Sequence, residues 1–139
     1  MMKTSNLVAA FAAIFLFGLG SNSFAASPAG RFCGEVISSG DYQDIQTNLN
    51  VEEDGRISGT YKLDGPNGRT DGTLVEKDQG SGFERMLVWT DKDGTGLMSL
   101  HFSSDYKGFK AAWGSSVAGR FESPIHSWNG VRCPLKPVP

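Results

Sequence analysis

Two cysteines, Cys33 and Cys133, stand near the two ends of the part of this chain that reads as a folded domain. A disulfide between them would hold their Cα atoms about 4.4–6.8 Å apart, so the first and last elements of the fold would have to be neighbours. The rival reading is a reactive or metal-binding pair, but neither cysteine has a C-x-x-C spacing or a histidine close by in sequence. The expected pairing is therefore structural. Closing so long a loop restricts the unfolded chain by about 4–5 kcal/mol in the entropic account, and such a bond persists in an oxidising compartment.

The N-terminus agrees with that compartment. Lys3 is the only charge ahead of the apolar run Leu7–Leu19, which is too short for about 30 Å of hydrocarbon, and Ser23 and Ala25 supply the small residues of a cleavage site after Ala25. Residues 1–25 are expected to be a signal peptide, 26–133 a single domain and 134–139 a proline-rich tail. Cys33 lacks the Leu and small residues that precede a lipid-modified cysteine, so a soluble periplasmic or secreted protein is expected, with no membrane span after cleavage. The formal net charge is −2, and there is no run of Lys or Arg interleaved with aromatics; nucleic acid is not an expected partner.

Within the domain, hydrophobicity alternates with the period of β-strands. Ile45, Thr47, Leu49 and Val51 alternate with polar residues, and Ile57, Gly59, Tyr61 and Leu63 share one face after Glu53-Asp54-Gly55, a strong hairpin signal. Further strands are expected at Gly30–Ile37, Thr70–Val75, Phe83–Thr90, Thr95–Ser103, Gly108–Trp113 and Ile125–Cys133, cut by Asp/Gly-rich turns. In Phe83–Ser103 both faces are partly apolar, and the pattern does not say which points inward. The longest piece without expected structure is Gly114–Pro124. No long window has helical periodicity with caps. About eight short strands in meander order with their ends clipped together point to an all-β fold, an antiparallel up-and-down barrel, with a β-sandwich as the alternative. Glycines inside strands, at Gly59, Gly72, Gly96 and Gly130, suit the bends and close backbone approaches of a small barrel.

The landmarks Gly55-x-x-x-Gly59-Thr60-Tyr61, Gly72-Thr73, Trp89, Trp113 and Trp128-x-x-x-Arg132 resemble the order found in avidin-like barrels. Arg132, with Gly30-x-Phe32 near the start, resembles the way lipocalin-type barrels close one end by an Arg against an N-terminal aromatic; Phe32 stands where a Trp is expected. A further resemblance is to small exported bacterial domains of unassigned function that share W, G-x-G, F-x-x-D-x-x-x-F-x-x-x-W and W-x-G-x-R. These residues are Trp89, Gly94, Gly96, Phe102, Asp105, Phe109, Trp113, Trp128, Gly130 and Arg132. The avidin-like resemblance implies a ligand cavity, but beyond Tyr61 the polar residues that would grip biotin are not matched.

Catalytic chemistry finds little to work with. Ser103-Ser104 and Ser115-Ser116 lie in or beside turns without a G-x-S-x-G frame. Asp91-x-Asp93-Gly94 could begin a calcium loop, but the chain runs straight into an apolar strand without the further oxygen ligands, so a hairpin turn is expected. His101 and His126 fall in separate elements, and no metal or cofactor is expected. The expected function is a non-enzymatic binding module that holds a small apolar or aromatic ligand in the barrel. The candidate ligand residues are Tyr61, Arg85, Trp89, His101, Trp113 and Trp128, with Tyr61, Arg85 and His101 as polar anchors if they point inward. The alternative is a protein-binding module, such as a hydrolase inhibitor, acting through Gly114–Pro124.

Overall fold

The computed structural model describes residues 26–134. The expected signal peptide and the tail beyond Pro134 lie outside the described residues. The alternating segments form β1 (Gly30–Ser38), β2 (Asp41–Val51), β3 (Ile57–Gly65), β4 (Gly68–Glu76), β5 (Glu84–Asp91), β6 (Gly94–Phe102), β7 (Gly108–Trp113), β8 (Ser116–Val117), β9 (Arg120–Phe121) and β10 (His126–Arg132). Eight of them close into one antiparallel barrel in the order β1-β10-β7-β6-β5-β4-β3-β2. Every neighbour in sequence is a neighbour in space, apart from the closing pair and the excursion between β7 and β10. That excursion corrects the structureless reading of Gly114–Pro124: β8 and β9 pair there as a small separate hairpin, with Ser116 opposite Phe121.

The barrel closes where the cysteines require it. Strand β1 pairs with β10 from Phe32↔Arg132 to Val36↔Trp128, and the Cys33–Cys133 disulfide spans a Cα–Cα distance of 4.9 Å. The alternation left undecided in the middle of the chain is settled by burial. Leu87 and Trp89 on β5, and Met98, Leu100 and Phe102 on β6, face the lumen and are buried, while Met86 on the other face is exposed.

The antiparallel order gives the barrel two unlike ends. At one end lie the start of β1, the C-terminus of β10 and the loops that follow β2, β4 and β6. Arg132 crosses this end: its guanidinium carbon sits 4.4 Å from the centre of the Phe32 ring, and its nitrogens donate to the carbonyls of Tyr106 (3.0 Å), Ala29 (2.6 Å) and Ser27 (2.6 Å). This is the closure by an Arg over an N-terminal aromatic expected from the sequence. Tyr106 adopts a left-handed backbone (φ 57°), which turns its carbonyl to Arg132 and its ring to Phe102, 5.2 Å away. Beneath the cap, Phe32 meets Phe109 edge to face at 5.2 Å, and Phe32, Ile57, Leu87 and Met98 have no exposed surface.

Glu76 is buried among these apolar side chains and is neutralised there. Its Oε1 accepts from Arg85 Nη1 and from the Ile57 amide, each at 2.8 Å, and Arg85 also donates to the carbonyls of Gly55 and Gly82. The attraction between the two charges and these added hydrogen bonds offset the desolvation penalty that burial of either charge alone would carry.

Candidate ligand site at the barrel mouth

The opposite end is ringed by the Ser39-Gly40, Pro66-Asn67 and Lys92-Asp93 turns and by the segment that carries β8 and β9. Alternation along each strand carries side chains from the packed half of the lumen up to this rim. On β5, Leu87 is followed on the same face by Trp89 and then Asp91; on β3, Tyr61 is followed by Leu63; on β1, Val36 by Ser38. All of these but Leu87, which lies below in the packed half, join Ile45 of β2, Asp93 of the β5–β6 turn, Trp113 of β7 and Trp128 of β10 to wall an open pocket of about 100 Å³. That is smaller than the roughly 300–1,000 Å³ of sites for drug-sized molecules. It suits a compact group or the end of a longer ligand.

The aromatic walls are held in place by hydrogen bonds that end inside the protein. Trp89 Nε1 donates to the Gly114 carbonyl (2.9 Å), Trp113 Nε1 to the Ile37 carbonyl (2.9 Å) and Trp128 Nε1 to Thr47 Oγ1 (3.1 Å). The Tyr61 hydroxyl donates to Asp91 Oδ2 at 2.6 Å. The rings also brace each other, since Trp89 and Trp113 meet edge to face at 5.6 Å and Tyr61 and Trp128 at 5.0 Å. With every indole N–H committed, the tryptophans offer a ligand their ring surfaces and edges, which are apolar and carry a negative face.

Two strand glycines make this arrangement possible. A Cβ at Gly72 would fall within the Tyr61 ring, and one at Gly96 would come within 2.7 Å of Trp89 Nε1 and meet the Gly114 carbonyl. The close approaches expected of these glycines are those that seat two of the mouth's aromatic side chains.

Asp91 caps the wall. Its Oδ1 accepts the Asp93 amide at 2.8 Å, so Asp91-Lys92-Asp93-Gly94 is a tight hairpin turn, with Asp91 paired to Gly94. Burial, first, and then the bond to Asp91 and the charges of Asp91 and Asp93 raise the Tyr61 hydroxyl far above the ordinary phenol range. It stays protonated and keeps donating to Asp91.

Of the candidate residues, Tyr61, Trp89, Trp113 and Trp128 come together at this mouth. Two do not. Arg85 does point into the lumen, but at the opposite end, where its charge is spent on Glu76. His101 points outward and lies 3.4 Å from Glu84 on the barrel surface, its side chain 63% exposed. It cannot anchor a ligand in the lumen, because its neighbours Leu100 and Phe102 take the inward positions. His126 sits at the other end of the barrel from His101, its ring tilted against Trp113 with centres 4.8 Å apart, so the two histidines do not share a site. The residues missed in sequence were Asp91 and Asp93, read only as turn formers. The signal was present: Asp91 lies two residues beyond Trp89 on the same strand, and period-2 alternation places it on the same face.

Comparison of the chain with protein-family models and with curated proteins finds no match.

Proposed function

We propose that this protein is a non-enzymatic binding module, exported to an oxidising compartment, that holds a small ligand with an apolar or aromatic surface in the mouth of its barrel. The observation that carries this reading is the uneven filling of the lumen. One half is packed solid, and the other is left open between three indoles and a phenol whose polar atoms are already bonded within the protein. Rigid ring surfaces around an open space favour a bound group over bulk water, because burial of apolar area is rewarded without a cost for ordering the walls. The closed up-and-down barrel and the Arg132 cap over Phe32 support a lipocalin-like or avidin-like relationship. The Cys33–Cys133 disulfide supports export.

The test is titration of the protein with a panel of small aromatic and aliphatic compounds, read by tryptophan emission and by melting temperature. Binding at the mouth should shift the emission and raise the melting temperature. Ser38→Phe, which plugs the pocket from the end of β1, should abolish both responses while the variant remains folded. A flat response across the panel in the wild-type protein would sink the reading. The β8–β9 segment supports a second reading, contact with a partner protein, because Val117, Phe121 and Ile125 are 54%, 43% and 74% exposed. Replacing residues 116–121 by a short Gly/Ser link separates the two: ligand responses should persist, and only capture of a protein partner should be lost.

A further inference from the structure

We infer that the mouth selects small organic cations, alkylammonium or arylalkylammonium groups, by placing them between indole faces and the carboxylates of Asp91 and Asp93. This inference rests on the binding role proposed above and adds the charge of the ligand. Three observations carry it. First, among the described residues Asp91 and Asp93 are the only charged ones lining the pocket, and no Lys, Arg or His among them forms an ion pair with either. Second, Asp91 is held in position by one hydrogen bond to each oxygen, from Tyr61 and from the Asp93 amide. A carboxylate has about four acceptor sites, so its negative charge and free lone pairs remain open to a ligand cation, with or without an N–H to donate. Third, the indole N–H groups that could have bound an anion are all turned to protein acceptors, leaving ring faces that attract positive charge.

An anionic ligand would meet two carboxylates and, among the wall's side chains, a single uncommitted donor, the Ser38 hydroxyl. A bare divalent metal ion would find two carboxylates and a hydroxyl where calcium takes 6–8 oxygens. An organic cation fits both features at once, because its apolar shell packs against the rings while its charge is shared by the acids.

The test pairs each cation with an uncharged counterpart of nearly the same shape: choline with 3,3-dimethylbutan-1-ol, and phenethylammonium with 2-phenylethanol. Affinities are measured by calorimetry at low ionic strength, with calcium chloride as a further arm. Each cation should bind about tenfold or more tightly than its neutral partner, the range expected when ring faces and a carboxylate act together on a partly desolvated charge. The preference should shrink in Asp93→Asn, whose exposed side chain makes no hydrogen bond or ion pair among the described residues, and should shrink further in Asp91→Asn. Equal binding of cation and neutral partner overturns the inference and leaves the binding role standing. Failure of all four compounds, together with a flat response to the neutral panel, overturns both. Calcium binding alone, or a cation preference that survives both Asp→Asn changes, also overturns it.

Discussion

The two halves of this lumen are built from the same kinds of residue and end in opposite states. At the capped end, Phe109 meets Phe32 and Phe102, and Phe102 meets Tyr106, edge to face beneath Arg132, and Glu76, the one buried acid among the described residues, has an arginine of its own. At the mouth, Trp89, Trp113, Trp128 and Tyr61 also meet edge to face, yet they stand around a space, and Asp91 and Asp93 have no basic partner among the described residues. The difference lies in what crosses the barrel. A long basic side chain tied to three carbonyls seals one end, whereas short turns ring the other and leave it open. Aromatic content alone therefore does not mark a site. A site is marked where rings are immobilised by bonds that point away from the space they enclose and where charge at the rim is left uncompensated.

If the capped half carries the stability and the mouth carries the binding, changes at the two ends should be separable. The largest effect is expected from the disulfide that clips β1 to the end of β10. Cys33→Ser with Cys133→Ser should lower the unfolding free energy by about 4–5 kcal/mol, read from denaturant curves, with ligand responses retained while the protein is folded. Loss of binding without loss of stability would break the division. Next is Arg85→Met, which strands Glu76 at a site where the two side chains are only 9% and 1% exposed. Removing one partner of a buried pair costs about 3–5 kcal/mol, and the mouth should again bind normally below the melting transition.

The smallest effect is expected at the mouth itself. Tyr61→Phe removes one hydrogen bond to a carboxylate and should cost about 1.5–3 kcal/mol. It should also change the alkaline limb of stability. The folded-state Tyr61 hydroxyl is raised above its unfolded value of 10.0, so above that pH the unfolded chain gives up a proton that the folded chain retains. Stability is then full below pH 10 and falls as pH rises through the alkaline range. Unfolding measured between neutral and alkaline pH should show this fall in the wild-type protein and a shallower one in Tyr61→Phe. Equal slopes in the two proteins would mean that the Tyr61 hydroxyl is neither desolvated by burial nor held by Asp91.

Most of the barrel was legible because strand period, turn chemistry and a disulfide are local or nearly local signals. Ile45 to Leu49 and Ile57 to Leu63 declared their inward faces by strict alternation, Val51 at the end of β2 being 43% exposed instead, and Asp54-Gly55 declared the turn between them. The strands from Glu84 to Phe102 did not, since Met86, Val88 and Leu97 put apolar residues on the outer face as well. Only closure of the sheet decided that Leu87, Trp89 and Met98 belong to the core. The hairpin at Ser116–Phe121 was also not legible, because two-residue strands carry no periodicity.

By itself, then, the sequence determined an all-β chain, its meander order, its clipped ends and the aromatic residues available to a site. The tertiary structure decided which end of the barrel each of them serves. Alternation assigns a side chain to a face but says nothing of its height in the lumen, and height separates Arg85 from Trp89 on one strand. Four residues along β5, about 13 Å at the usual rise, place Arg85 in the sealed half against Glu76, while Trp89 and the Asp91 beyond it reach the open mouth.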